Sequence, residues 1–159
     1  MNKLVALAVT LCFLSASPAW AWKAVVESVV DGDTFWARGE DGQRLKVRLY
    51  GVDCPESNQA FGQEAKAFSE HLLSGERVDL VTESTDRYGR TVATVYLETN
   101  QVLQEEILRS GLAWLYGQFC RQPQCLYWKM LEFAAREGKS GLWADPAPEA
   151  PWAWRHNGK

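Results

Sequence analysis

The chain has 159 residues, 47% of them hydrophobic and 23% charged, which suits one ordinary core and leaves little room for two. Its 17 Lys and Arg against 20 Asp and Glu give a net charge of −3. That excludes a partner held by a general basic surplus, so any positive contact with nucleic acid must be local.

The first element is not part of the domain. Asn2-Lys3 precedes the 13-residue apolar run Leu4–Ala16, and "SPAWA" follows with Ala19 and Ala21 at the small positions a signal peptidase reads. The run is too short for a permanent membrane helix. Residues 1–21 are therefore expected to be a signal peptide, with no stable membrane insertion after its removal and a mature chain of net charge −4 once Lys3 is lost. An exported protein, periplasmic or secreted, can form disulfides. Cys12 leaves with the signal, and "CRQPQC" can close a small loop through Cys120 and Cys125, leaving Cys54 unpaired. A cysteine-based metal site is weaker, since only His71 and His156 are available and neither has ligand spacing.

The mature chain begins with three strand-like runs, "KAVVESVV", "TFWAR" and "RLKVRLYGV", separated by the Asp31-Gly32 turn and a hairpin turn in "GEDGQ". "QAFGQEAKAFSEHLL" spaces Phe61, Ala65, Phe68 and Leu72 as a helix, with Gly75 just beyond. "RVDLVTE" and "TVATVYLE" are two more strands joined by "STDRYGR". Helices are expected in "QVLQEEILRSG" and "LYWKMLEFAAREG", the second presenting Tyr127, Met130, Leu131 and Ala134 on one face. The ending, rich in Pro and Trp, reads as an irregular tail packed back through Trp143 or Trp152. Five strands with helices after the third and fifth suggest a small antiparallel barrel flanked by helices, an α+β fold.

Several charges sit in or beside this apolar sheet. If Val47 and Leu49 face the core, Arg48 faces the opposite side, where a barrel can form a shallow cleft. Asp33 and Asp53 pointing into that cleft suit a hard, oxygen-seeking cation such as calcium (Ca2+), with carbonyls and waters completing the shell. Asp31, Asp33 and Asp53 also suit simple turns beside Gly. Glu56, after Pro55, is placed either to take a proton from an attacking water or to start the following helix. The Arg48 and Arg90 guanidinium forks match the oxygens of a phosphodiester, while Arg87 and Tyr88 can meet a neighbouring phosphate or base. The alternative for Arg90 is an ordinary hairpin charge beside Gly89.

The ordered set "VVDGDTF", "VRLYGVDCPE", "FGQEAKAF", "DRYGR", "SGLAWLY" and "GLW" resembles the thermonuclease family, the staphylococcal-nuclease-like domain, over about residues 23–145. The resemblance implies an OB-fold five-stranded barrel with three flanking helices, occupying residues 22–145 and followed by a tail at 146–159. It implies a calcium-dependent endonuclease acting on DNA or RNA and leaving 3′-phosphate ends. By matching motifs, Asp33, Asp53 and the Cys54 carbonyl are the calcium ligands, with Asp31 a nearby acid behind them. Arg48 and Arg90 are the catalytic arginines, Glu56 the general base, and Arg87 and Tyr88 the contacts to a terminal phosphate.

Cys54 stands where the best-studied member has Thr, which a carbonyl ligand tolerates but which raises a question of oxidation. "SNQAFGQ" is short and neutral where some members carry a lysine-rich loop, and "QVLQEE" lacks an Asn often found after that valine. Weaker or more salt-sensitive substrate binding is the expectation. Single strands are expected to enter an open groove more easily than duplex. The competing classes are a binding-only barrel, a phosphomonoesterase using the same groups, and a cysteine hydrolase. A binding-only relative would lose an acid, the base or an arginine, and none is missing. The cysteine hydrolase lacks a histidine related to Cys54.

Overall fold

The computed structural model describes residues 21–158, so the expected signal peptide lies outside the described residues except for its last residue. In chain order the strands are β1 (Ala21–Asp31), β2 (Thr34–Gly39), β3 (Arg44–Leu49), β4 (Val52–Asp53), β5 (Arg77–Thr85), β6 (Thr91–Leu97) and β7 (Trp114–Leu115). The helices are α1 (Gly62–Leu73), α2 (Leu103–Arg109), α3 (Gln124–Glu137) and α4 (Pro151–His156), with a 3-10 turn at Gly141–Ala144.

Alternation along the strands builds the barrel. Ala24 and Val26, Phe35 and Ala37, Val47 and Leu49, Val78 and Leu80, and Ala93 and Val95 are all buried in one core. Five strands close in the order β1-β2-β3-β6-β5, with β5 returning to β1. The barrel is the five-stranded OB-type α+β architecture expected, but it is mixed rather than wholly antiparallel. An odd number of strands cannot close with every neighbour reversed, and β3 and β6 form the parallel pair, Val47 opposite Thr91 and Arg48 opposite Val92. A register shift between Val29 and Asp31 bends β1 into the Asp31–Asp33 turn. β4 and β7 form a separate two-stranded ribbon.

Helix α1 packs on β1 through Ala65, Ser69 and Leu73, with Phe61, Phe68 and Leu72 partly buried at the margin. The Ser69 hydroxyl donates to the Gly32 carbonyl at 2.6 Å. A Cβ at Gly32 would come within 2.8 Å of both the Ala65 and Cys54 Cβ atoms, so only glycine lets this turn approach the helix. In α2 the buried Gln104 amide donates to Ala93 O at 2.9 Å and accepts from Val95 N–H at 3.2 Å, fixing this helix to β6.

The expected face of α3 is rotated. Cys125, Trp128, Leu131 and Ala135 are buried, while Tyr127, Met130 and Ala134 are exposed. Two anchors decide the face: the Cys120–Cys125 disulfide at the helix start, and the large Trp128 ring, only 1% exposed, which donates to Glu105 Oε1 at 3.2 Å. The tail is also more ordered than an irregular segment. It carries α4, with the 3-10 turn just before it, making four helices among the described residues where three were expected. Pro151 at the first turn of α4 lacks an N–H to satisfy, and it is buried. Trp152 stacks on Tyr116 with centroids 5.0 Å apart and 5° between planes, and Trp143 and Trp152 both meet Trp114 edge-on. Among the described residues, no helix is long and apolar enough to cross a membrane.

Candidate active site

Arg48 lies at the centre of the site. Its neighbours Val47 and Leu49 are buried in the barrel core, so strand alternation turns Arg48 to the other side. There its guanidinium donates to Asp33 Oδ1 at 2.6 Å and Asp53 Oδ1 at 2.7 Å. Asp33 comes from the turn before β2, and Leu49 N–H bonds its carbonyl at 2.8 Å. Asp53 ends the short β4 ribbon and is fully buried. Thr34 Oγ1 and Cys54 N–H also donate to Asp33, at 2.8 and 3.0 Å, and Asp33 N–H donates to Asp31 Oδ1 at 3.1 Å. The sequence-predicted Asp31, Asp33, Arg48, Asp53 and Cys54 are thus one connected cluster.

Burial pushes the Asp31 carboxyl up to about 7, with the Asp33 charge adding to it. Burial also raises Asp53, against the lowering effect of Arg155 and Arg48. Burial alone would make Arg48 easier to deprotonate, yet the charges of Asp33 and Asp53 outweigh it and hold the guanidinium charged. The Cys54 thiol is raised well above its ordinary value, first by burial and then by the neighbouring carboxylates. It is only 4% exposed. A buried, protonated thiol is a poor target for oxidation, which answers the question Cys54 raised.

These residues fit a hard cation. Asp33 and Asp53 flank Arg48, Asp31 adjoins Asp33, and burial, with the Asp33 charge adding to it, raises the Asp31 carboxyl to about 7. A divalent ion with oxygen preference relieves the repulsion between Asp31 and Asp33. Among the described residues, no three His, Cys, Asp or Glu side chains form a ready-made metal cage, so backbone and water oxygens would complete the shell.

Glu56 stands three residues past Asp53 in the loop leading to α1. Its N–H donates to Gln59 Oε1 at 3.1 Å, and its carboxylate Oε1 accepts from Arg155 at 2.6 Å. Arg155 also reaches Asp53 Oδ2 at 2.7 Å. This arginine belongs to α4 and has no place in the sequence-predicted set. Its signal was present in "PWAWR": proline starting a short helix, with Trp152 and Arg155 three apart on one face.

Arg90, Arg87 and Tyr88 form a second cluster on the β5–β6 turn. Asp86 accepts from Tyr88 N–H, Arg90 N–H and Arg90 Nε, the last at 2.6 Å. Arg87 donates to the Tyr88 hydroxyl at 2.7 Å, and both arginines lie over the Tyr88 ring, itself 69% exposed. No hydrogen bond or ion pair among the described residues joins this cluster to the acids. The link is the sheet: Arg90 immediately precedes Thr91, which pairs with Val47 beside Arg48.

The barrel thus carries an arginine-bridged acid pair on its wall. Residues 46–145 match the family described as Staphylococcal nuclease homologue. An uncharacterized endonuclease of Haemophilus influenzae is 38% identical over 84% of this chain and 73% of its own length. A micrococcal nuclease of Shigella flexneri is 32% identical over 97% of this chain and 92% of its own. A probable staphylococcal-like nuclease CAN1 of Oryza sativa is 36% identical over 76% of this chain but only 36% of its own, so this chain spans about a third of that plant relative's length. The chain belongs to the staphylococcal nuclease homologue family, the thermonuclease-like proteins. Asp31 and Asp33 precede the matched segment, and their place in the site rests on the geometry above.

Proposed function

We propose that this protein is a calcium-dependent endonuclease that hydrolyses DNA or RNA and leaves 3′-phosphate ends. Membership of the family and the nuclease names of its relatives support a nuclease acting on nucleic acid. The observation that carries the finer reading is Arg48 bridging Asp33 and Asp53 on the outer side of a strand whose alternate residues are core. Asp33, Asp53 and the Cys54 carbonyl would hold calcium, with Asp31 behind them. Calcium, when bound, supplies positive charge against the phosphate oxygens.

Glu56 accepts the proton of the water that attacks phosphorus; its Oε2 has no hydrogen-bond partner among the described residues. Arg48 and Arg90 donate to the non-bridging oxygens, where charge accumulates as the phosphorus–O5′ bond breaks. Arg48 is anchored for this by two carboxylates, and Arg90 by Asp86. Arg87 and the exposed Tyr88 meet the flanking phosphate or base. Single strands are favoured because they reach an open wall without bending. Export to the periplasm or beyond belongs to the same reading, supported by residues 1–21 and the Cys120–Cys125 disulfide.

Cleavage of an internally labelled oligonucleotide by the mature protein, in calcium and in chelator, tests the proposal with Arg48→Ala alongside. Cleavage that needs calcium and is lost in the variant supports it. Binding without cleavage would leave a barrel that only holds nucleic acid. Cleavage undiminished in chelator would remove calcium from the reading.

A further inference from the structure

We infer that Arg155 is a positioning residue for the reaction, holding the carboxylates of Glu56 and Asp53 in place from the C-terminal helix. The inference rests on the nuclease reading, in which Glu56 is the base. Arg155 gives Glu56 Oε1 one bond of 2.6 Å, and it gives Asp53 two, 2.7 Å to Oδ2 and 3.3 Å to Oδ1. With Arg48 on Asp53 Oδ1, both oxygens of that carboxylate are fixed by guanidinium forks from opposite ends of the chain. Glu56 keeps Oε2 for a proton while losing the rotational freedom of a long, half-buried side chain.

The helix carrying Arg155 is built onto the body independently of the ion pairs. Trp152 stacks on Tyr116, and Trp154 Nε1 donates to Asn58 Oδ1 at 3.3 Å. Gln59, 8% exposed, accepts from Glu56 N–H with its Oε1 and donates with its Nε2 to Glu149 O at 2.6 Å. One buried amide therefore ties the backbone of the base to the tail, and Arg155 ties its carboxylate to the same tail. The loop holding Glu56 is gripped on both sides.

The test uses the mature chain, Arg155→Ala and Arg155→Lys. It measures oligonucleotide cleavage in calcium, and hydrogen exchange of residues 54–62 and 149–157 in chelator. The expected result for Arg155→Ala is a kcat lower by about ten- to a hundredfold with KM within about twofold. Exchange at 54–62 should rise while 149–157 stays protected, and Arg155→Lys should recover part of both. A variant as active as the parent overturns positioning, and one more active than the parent overturns it and makes the tail an inhibitory cover. A raised KM at unchanged kcat also overturns it, by placing Arg155 on the substrate. Loss of protection across 149–157 reduces Arg155 to a structural clasp. If the parent chain cleaves nothing, the nuclease reading fails, but exchange still decides: unchanged protection at 54–62 in Arg155→Ala sinks the positioning role too.

Discussion

Two arginines expected to act alike are held in opposite ways. Arg48 lies in a strand and draws its carboxylates from two other elements, with side chains 17% exposed for Arg48 and 4% and 1% for Asp33 and Asp53. Arg90 draws its carboxylate from Asp86, four residues earlier in its own turn, and both side chains are about a fifth exposed. The first arrangement belongs to the fold: remove it and buried Asp33 loses its guanidinium partner, while Asp53 is left with Arg155 alone. The second belongs to a hairpin turn that closes by Asp86 N–H to Arg90 O at 3.0 Å whatever the Arg90 side chain is. The same functional group is thus structural and chemical in one place, and chemical alone in the other.

The largest expected effect is at Arg48. Arg48→Ala should abolish measurable cleavage and, in chelator, destabilise the fold by about 3–5 kcal/mol, because a broken buried pair leaves uncompensated charge. Urea unfolding with and without calcium reads this, and added calcium should restore part of the loss. A variant as stable as the parent in chelator would break the comparison. Arg90→Ala comes next. It should lower kcat by about 10²–10³, the usual effect of removing one donor to developing charge. Its unfolding free energy should stay within about 1 kcal/mol of the parent, because the pair lies within one turn whose backbone closure does not need the Arg90 side chain. A loss of several kcal/mol would place Arg90 in the same class as Arg48. Asp86→Asn is smaller: it keeps the turn's acceptor to the backbone but weakens the grip on Arg90, and cleavage should fall about tenfold with stability little changed.

What could be read in advance divides along the same line. The barrel strands were legible because alternation of Val, Leu and Ala has a fixed consequence, and Arg48's outward direction followed from Val47 and Leu49. The acids of the turn and of "VDCPE" were legible through motif. The mixed closure needed the strand count taken with the order of neighbours. The face of α3 was missed because the apolar stripe at Tyr127 and Met130 competes with the one at Cys125 and Trp128, and only the disulfide and the Glu105 partner decide between them. Arg155 was missed because 99 residues separate it from Glu56. Composition made its segment look irregular, and nothing local shows where a tail docks.

The last test of the comparison runs through pH rather than rate. Asp31, in the buried cluster, is raised from 3.8 to about 7 by burial and by Asp33. Its folded form therefore holds a proton that the unfolded chain has released, and stability falls as pH rises from about 4 to 7. Asp86, in the exposed turn, behaves oppositely. Burial would raise it, but the hydrogen bonds from Arg90 and Tyr88 prevail and lower it. Its contribution is present above the unfolded value of 3.8 and is lost as pH drops through the lower folded value. In chelator, melting temperature against pH should thus decline toward neutrality in the parent and flatten in Asp31→Asn, while Asp86→Asn changes only the acid limb. Calcium should reduce the neutral decline, since a cation favours the ionised cluster. If Asp31→Asn leaves that decline intact, the buried acids are not under the strain that suits them to a cation. The contrast between the two arginines would then rest on burial alone.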